Sequence, residues 1–255
     1  MTGTVDQYEM ANVLTRRIEV FARLSQDDRA LLDRIARRTT REVSARRDII
    51  REGDAPRSVL LVLDGWACRY KTLPDGRRQI VAFFVPGDIC DPHVYMLKEM
   101  DHSIASITPL RLAEIARDDF EKLIADHPRL VQALWWDELV TMAIQREWTL
   151  NLGQRTAFER IAHLLCELYM RLHSIGQTNG NSMAFPLTQV DLADATGLTA
   201  VHVNRTLQEL RKAGLIELQS KTLTIPNMGA LKDAAMFNDN YLHLEREGRH
   251  LDAND

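Results

Sequence analysis

The sequence predicts an α+β chain in three parts: an N-terminal β-roll, a long central helix and a C-terminal winged helix-turn-helix. Four glycines recur every eleven or twelve residues between short apolar runs, at Gly53, Gly65, Gly76 and Gly87. Such regular spacing is typical of short strands joined by turns. Residues 128–152 contain neither glycine nor an internal proline, which predicts the long helix. Two amphipathic segments joined by Gly197 then precede two alternating runs, the pattern of a helix-turn-helix and its wing.

The β-roll is predicted to lie between helices. A helical pattern covers residues 18–38, and Ser25 is the expected N-cap within its F-x-x-L-S-x-x-D segment. Strands are predicted from the apolar or alternating runs that follow, over residues 59–63, 66–70, 79–85 and 104–115. Pro74-Asp75-Gly76 and Pro86-Gly87-Asp88 are turn sequences. Residues 118–124 predict a short helix after the last strand.

The helix over residues 128–152 is apolar on more than one side, so it must be covered on more than one side. We expect one face to pack on the β-roll and another on the same helix of a second subunit. A helix buried wholly within one chain is the alternative, because Asp137 and Thr141 interrupt a clean heptad. Gly153 is a predicted hinge before a further helix over residues 156–172, and residues 173–182 predict a loop.

The helix-turn-helix prediction rests on two short amphipathic helices and the turn between them. The first helix has small and apolar positions at Val190, Leu192, Ala193 and Ala195. Gly197 permits the positive φ of a sharp turn, and Thr199 is the expected N-cap of the second helix. The buried stripe of that helix is predicted at Val203, Leu207 and Leu210.

The opposite face of the second helix is polar near its N-terminus, where His202, Asn204 and Arg205 lie. Such side chains suit the major groove of DNA, where they bond the edges of bases. A helical hairpin used only for packing is the alternative. Residues 215–218 and 222–225 alternate around a turn at residues 219–221, and this predicted wing favours DNA binding over simple packing.

At these residues the chain resembles the Crp/Fnr family of bacterial transcription regulators. The family pattern G-x-[ST]-x-x-x-[VI]-x-R-x-L is present from Gly197 to Leu207. The resemblance implies that Arg205 contacts a guanine and that Thr199 and His202 face phosphates. It also implies that Ala200, Val201 and Asn204 occupy positions that vary with the target sequence. We add Thr188, Gln189 and Lys221 to the predicted DNA-binding residues.

Two of these positions depart from the family pattern. Ala200 and Val201 stand where the best-known members carry arginine and glutamate. An apolar Val201 cannot accept a hydrogen bond from a cytosine amino group, although it can contact a thymine methyl group. The usual half-site of the family is therefore not expected for this chain.

The N-terminal half resembles the cyclic-nucleotide-binding β-roll, on the spacing of its glycines. Members that bind cyclic nucleotides hold the ribose with a glutamate and the phosphate with an arginine. Counting without gaps from Gly87, those positions are Pro92 and His102 here. Pro92 offers no side-chain hydrogen bond, and the neighbouring Asp91 brings a negative charge toward an anionic phosphate. We therefore expect no useful affinity for cyclic AMP or cyclic GMP.

A different effector pocket is a weaker hypothesis, with Asp91, His93, His102 and Ser103 as its residues. Histidine beside carboxylates is compatible with a transition metal, a haem ligand or a pH response. The alternative places His93 in the core and makes Asp101-His102-Ser103 a loop that caps itself. No metal or other cofactor is predicted, and haem or metal through His93 or His102 is left as the less favoured possibility.

Cysteine usage and hydropathy place the chain in the cytoplasm. Cys68, Cys90 and Cys166 are widely spaced with no C-x-x-C pair, which predicts buried structural thiols. An iron–sulfur cluster usually needs four cysteine ligands, so the cluster-bearing members of the family are not a model here. The sequence has no apolar run of about 18 residues and no secretory signal pattern, so no membrane association is expected.

The chain carries a formal net charge of −4 at pH 7 and lacks a broad basic footprint. Positive charge is instead local, at Arg205, Arg211, Lys212 and Lys221. No G-x-S-x-G, P-loop or H-E-x-x-H motif is present, so no enzyme is predicted. The alternative function is a ligand-binding regulatory subunit with a cyclic-nucleotide-type domain and no DNA readout.

The predicted organisation follows from these elements. Residues 1–17 and 236–255 are expected to be tails, the second being a frayed end or a packed helix. The sensor β-roll is assigned to residues 18–126, the dimerisation helix to 127–153 and the DNA-binding domain to 154–235. The expected partners are double-stranded DNA on a two-fold site, a second copy of the chain and RNA polymerase.

Overall fold

The structure, a computed structural model, describes residues 12–244. It begins with two helices, α1 (Val13–Glu19) and α2 (Gln26–Arg38). Ser25 caps α2 as predicted: its Oγ accepts from the Asp28 amide at 3.1 Å, and the Asp28 carboxylate accepts from the Ser25 amide. The prediction of one helical segment over residues 18–38 is wrong, because two separate helices form. The prediction of a tail over residues 1–17 is also wrong for its described part, because residues 13–17 belong to α1. Leu14 and Ile18 of α1 are buried, and the cap at Ser25 separates the two helices.

The β-roll consists of two four-stranded antiparallel sheets. The first sheet has the order β1-β8-β3-β6, with β1 at Thr40–Val43, β3 at Ser58–Asp64, β6 at Ile89–Cys90 and β8 at Leu110–Ala116. The second has the order β2-β7-β4-β5, with β2 at Asp48–Ile50, β4 at Ala67–Thr72, β5 at Arg78–Phe84 and β7 at Ser103–Ser106. The run 104–115 is therefore two strands in different sheets. Pro109, which has no amide to donate, lies at the crossover.

Three helices follow the roll: α3 (Arg117–Asp126), α4 (Pro128–Gln154) and α5 (Ala157–Ser174). Gly153 is not a hinge, because it lies within the last turn of α4. The break comes at Arg155, whose backbone is extended, and Thr156 then caps α5. Thr156 and Glu159 form the capping box that starts α5, and Gly153 does not end α4.

The C-terminal part contains β9 (Ser182–Ala184), α6 (Gln189–Thr196), α7 (Ala200–Lys212), β10 (Glu217–Gln219), β11 (Thr222–Thr224) and α8 (Met228–Ala235). The wing strands β10 and β11 are as predicted, but β9 joins them in a three-stranded sheet. The expected tail from residue 236 also begins with structure: residues 239–242 form a short 3-10 helix in which Tyr241 and Leu242 are buried. Residues 1–11 and 245–255 lie outside the described part of the chain.

Two hydrophobic cores organise the molecule. One lies inside the β-roll with α1, α2 and α3, and the other joins α4, α5 and the C-terminal helices to the outer face of β4 and β5. Phe83 of β5 meets Trp148 of α4 edge-on, with ring centroids 5.8 Å apart. The Arg171 guanidinium of α5 donates to Asp88 at 2.6 Å, so a buried ion pair also crosses between the two halves. No helix within the described residues is long and apolar enough to cross a bilayer.

Candidate DNA interface and effector cleft

The helix-turn-helix is built from two capped helices and one glycine. Thr188 caps α6 in a reciprocal arrangement with Asp191, and Thr199 Oγ accepts from the His202 amide at 3.2 Å at the start of α7. Gly197 between them has φ of 66°, a left-handed conformation that an L side chain adopts only at a cost. These local bonds fix the angle at which α7 leaves α6.

One side of α7 is buried and the other is open. Val203, Leu207 and Leu210 are buried as predicted, together with Thr206. On the other side, the Val201 residue is 82% exposed and the Arg205 side chain is 74% exposed. Arg205 pairs with Glu209 one turn along, at 3.2 Å. We call the exposed side chains of the first two turns of α7, from Thr199 to Arg205, the recognition surface.

The predicted DNA-binding residues fall into three neighbouring places. Thr188 and Gln189 are exposed at the N-terminus of α6, and Thr199, Val201, Asn204 and Arg205 are exposed on α7. Ala200 and His202 are half-buried on the same turns. Lys221 is exposed at the tip of the wing, where Ser220 and Lys221 have φ of 49° and 59°. Two successive residues with positive φ form the tight two-residue hairpin turn that joins β10 to β11.

The sensor domain contains an open cleft of about 610 Å³ beside α4. Asp91 and His102 meet inside it, with His102 Nε2 2.9 Å from an Asp91 oxygen. His102 Nδ1 lies 2.6 Å from Asp101, so the imidazole stands between two carboxylates. The hydrogen bond to His102 holds the pKa of Asp101 below its usual value, against a smaller effect of burial.

Asp91 has a second partner that the sequence did not indicate. The Arg69 guanidinium on β4 donates to the other Asp91 oxygen and lies over the Phe84 ring, 5.1 Å from its centroid. By the alternation of β4, Arg69 and Lys71 share one face of the strand, and the two cationic side chains both line the cleft. Lys71 pairs with Glu52 at 2.7 Å, so both cationic side chains of β4 in the cleft already have a carboxylate partner.

The other two predicted pocket residues lie apart from this group. His93 lines the far side of the cleft, 3.4 Å from Glu138 of α4 and edge-on to Phe120. Ser103 does not line the cleft, because its Oγ accepts from the Glu52 amide at 2.9 Å on the neighbouring strand edge. Within residues 12–244, no three His, Cys, Asp or Glu side chains are placed to hold a metal ion.

The three cysteines are buried and unpaired, as the sequence predicted. Burial raises the pKa of Cys68 to about 11 and that of Cys166 to about 12, and it raises the pKa of Cys90 as well. A thiol that resists ionisation is a poor nucleophile and a poor metal ligand.

The central helix α4 has two faces, as expected. Leu134, Val140 and Ile144 are buried against the chain's own domains. Trp135, Leu139 and Met142 follow one another at spacings of four and three and are 56%, 53% and 49% exposed. A single chain therefore leaves an apolar stripe on α4 in contact with solvent.

Comparison with known proteins agrees with this architecture at both ends. Residues 159–234 match the Crp-like helix-turn-helix domain, and residues 40–127 match the cyclic nucleotide-binding domain. The transcriptional activator protein FnrL of Cereibacter sphaeroides is 32% identical over 209 residues, which cover 81% of this chain and 83% of FnrL. The nitrogen fixation regulation protein FixK of Rhizobium meliloti is 31% identical over 73% of this chain and 82% of its own. The structure of FixK2 from Bradyrhizobium japonicum superposes with a TM-score of 0.69 at 26% identity, over 77% of this chain and 96% of FixK2.

Proposed function

Because the chain belongs to the Crp/Fnr family of transcription regulators, we propose that it binds a two-fold DNA site as a homodimer without a cyclic nucleotide. Its helix-turn-helix makes it a DNA-binding regulator of the Crp/Fnr type. The observation that carries the finer proposal is the recognition surface. It is one side of a capped helix whose polar side chains are exposed, and within residues 12–244 its Arg205 is paired only with the exposed Glu209.

The proposed roles follow from chemistry and exposure. Arg205 donates to the O6 and N7 acceptors of a guanine, which it reaches by exchanging Glu209 for the base. Val201 contacts a thymine methyl group, and Asn204 reads a neighbouring base edge. Ala200 lies with Val201 and Asn204 at the positions that vary with the target sequence. The contacts to the phosphates come from three places in the helix-turn-helix and wing: Thr188 and Gln189 on α6, Thr199 and His202 on α7, and Lys221 on the wing.

The dimer is proposed to form through α4. The stripe of Trp135, Leu139 and Met142 has the i, i+4, i+7 spacing of a helix that packs on another helix. An isologous contact between two copies would bury this stripe and set two recognition helices about one turn of DNA apart. RNA polymerase is the further proposed partner, since several relatives are named as transcriptional activators, and the cytoplasm is the proposed location.

The cleft is proposed not to take cyclic AMP or cyclic GMP. A cyclic phosphate needs a free cationic or N–H donor. Arg69 is engaged by Asp91 and Lys71 by Glu52, and Pro92 has no side-chain donor. The residues of this cleft therefore do not fit the cyclic nucleotides that domains of this type bind in other proteins. Micromolar binding of either nucleotide in a calorimetric titration would contradict this part of the proposal.

The DNA-binding proposal is tested by Arg205→Ala in a mobility-shift titration, using the duplex that the wild-type chain selects from a random pool. We expect a loss of about 1–3 kcal/mol of binding free energy and relaxed selectivity at the guanine position. Lys212→Ala is the matched control, since it removes the same charge from the exposed end of α7. The proposal fails if the wild-type chain selects no sequence, or if Arg205→Ala keeps the wild-type affinity and preference.

A further inference from the structure

The first helix of the helix-turn-helix is fastened to the sensor domain of its own chain. Two guanidinium nitrogens of Arg46, in the turn between β1 and β2, donate to the two carboxylate oxygens of Asp191 on α6, at 2.5 and 2.8 Å. Arg78 Nε of β5 lies 3.5 Å from Asp194, and the Gln79 amide donates to the carbonyl of Ala195 at 3.2 Å. Three polar contacts thus join one face of α6 to the β-roll.

The turn that carries Arg46 is strained and held in place. Arg46 has φ of 60°, a left-handed conformation that costs about 1–2 kcal/mol for a residue with a Cβ. Its amide donates to the Ser106 carbonyl at 3.0 Å, and Ser106 Oγ donates to the Ser44 carbonyl at 2.7 Å. The Arg47 amide donates in turn to Ser106 Oγ at 2.9 Å. Strained residues cluster at functional sites, so the turn at Arg46 is a candidate for a role beyond joining β1 to β2.

Asp191 serves both domains with one carboxylate. It accepts from the Thr188 amide at 2.8 Å and so completes the cap of α6, while its oxygens also receive Arg46. Its side chain is only 4% exposed, whereas that of Arg46 is 45% exposed. Burial acts to raise the pKa of Asp191, but the bonds from Arg46 and Thr188 outweigh it and hold that pKa below the usual value.

Docking through α6 leaves the recognition surface free. Val201 and Arg205 remain exposed while α6 is held, so the contact does not cover the surface that meets DNA. It also sets the direction in which α7 points, because Gly197 and the two helix caps join α6 to α7 with little freedom.

We propose that Arg46 and Arg78 are positioning residues for operator binding, acting through Asp191 and Asp194 to place the recognition helix relative to the sensor domain. This inference rests on the proposed DNA binding as a two-fold dimer. Correct placement matters for a duplex with two half-sites, because both recognition helices must reach their grooves at the same time. A single half-site makes no such demand.

The test compares Arg46→Gln with Arg47→Gln in the full chain. Arg47 is exposed, and among residues 12–244 its side chain has no partner, so it loses the same charge one position away. Each variant is titrated with the duplex selected by the wild type and with the same duplex after one half-site is scrambled. We expect Arg46→Gln to weaken binding to the intact duplex about tenfold, within the usual range of coupling between sites. Binding to the scrambled duplex should be unchanged, and Arg47→Gln should match the wild type on both.

Asp191→Asn separates positioning from a direct contact between Arg46 and DNA. The asparagine oxygen can still accept from the amide of the N-cap Thr188, so the capping box is kept while the ion pair is lost. We expect Asp191→Asn to weaken binding to the intact duplex as Arg46→Gln does, and the double variant to be no weaker than either. Arg78 also stacks on Tyr70, with its guanidinium 4.3 Å from the ring centroid, so Arg46 gives the cleaner test.

Several outcomes overturn the inference. The inference is wrong if Arg46→Gln binds the intact duplex as tightly as the wild type. It is also wrong if Arg46→Gln and Arg47→Gln lose the same affinity, because that would indicate a long-range effect of charge. Tighter binding by Asp191→Asn would show that Arg46, once released, contacts phosphate directly. A wild-type chain that binds no DNA would instead defeat the proposed function itself. Thermal unfolding midpoints of all variants show whether a loss of binding comes from unfolding.

Discussion

The recognition surface and the sensor cleft each contain one central arginine, and the two arginines are in opposite states. The Arg205 side chain is 74% exposed and pairs with Glu209, which is itself 47% exposed. The Arg69 side chain is 15% exposed, lies on an aromatic ring and is bonded to Asp91. The first guanidinium can exchange its partner for a base, whereas the second already holds an anion supplied by the chain.

The energies of the two pairs explain why the difference matters. An exposed i, i+4 pair on a helix contributes about 0.3–0.5 kcal/mol, so a DNA base replaces it at little cost. The half-buried pair of Arg69 and Asp91 loses more when one member leaves, because the remaining charge is only partly reached by water. The Arg205 pair is thus the easier of the two to exchange for an external partner, and the Arg69 pair is the harder.

Asp91→Ala should have the largest effect, because it removes the carboxylate that distinguishes Arg69 from Arg205. It leaves Arg69 without its carboxylate and places alanine in the left-handed backbone of Asp91, whose φ is 51°. We expect the free energy of unfolding to fall by about 2–3 kcal/mol. The freed guanidinium should then bind an added anion, so that phosphate raises the stability of the variant more than that of the wild type. Urea unfolding with and without phosphate measures both effects.

Asp101→Ala is the control for the cleft, since it removes a carboxylate from the same loop and leaves the Arg69 pair intact. A variant Asp91→Ala with wild-type stability, or one that phosphate does not stabilise, would show that Arg69 is not held in the way the structure indicates.

A second prediction concerns acid sensitivity on the DNA-binding side. Burial lowers the pKa of His163 on α5 to about 3, with a smaller effect of Arg155. Glu147 lies 3.4 Å from its Nε2 but is shared with Arg155 at 3.1 Å. In the unfolded chain His163 takes up a proton near pH 6.5, whereas in the folded chain it does so only near pH 3. Stability is therefore complete above pH 6.5 and falls as the pH decreases through this window.

The expected slope from His163 is about 1.4 kcal/mol per pH unit, or about 2 kcal/mol between pH 6.5 and pH 5. His163→Leu should flatten the dependence of the unfolding free energy on pH by that amount, whatever its effect on stability at pH 7. Denaturant titrations at pH 7, 6 and 5 decide the matter. An unchanged slope would mean that His163 is protonated in the folded chain.

The two regions also differ in how far sequence alone predicts them. The helix-turn-helix depends on residues close together in the chain, such as Gly197 and the caps Thr188 and Thr199, so its elements were predicted within a few positions. The cleft depends on strand pairing: β4 lies beside β7 with Arg69 opposite Ile104, and no local pattern records that register. Alternation likewise could not show that the run 104–115 changes sheets.

Contacts between domains were beyond prediction for the same reason. Arg46 and Asp191 are separated by 145 residues, and each looks like ordinary polar surface in its own segment. At Gly153 the local sequence was misleading instead. A glycine near the expected end of a helix predicted a hinge, but α4 continues to Gln154 and Gly153 is helical. The apolar stripe on α4 was predictable because it needs only the helical period.

The smallest expected effect tests how far the recognition surface is organised in advance. Thr199→Ala removes the oxygen that accepts the His202 amide, and loss of such a cap costs about 1 kcal/mol of folding stability. Thr199→Ser keeps the oxygen and should retain most of that stability. If Thr199 also faces a phosphate, the alanine variant will lose DNA affinity that serine preserves. The dependence of affinity on salt should stay the same, because the threonine hydroxyl carries no charge. Equal stability of the alanine and serine variants in urea unfolding would mean that α7 begins without help from this cap. The recognition surface would then be held in place by the packing of Val203 and Leu207 and not by the cap.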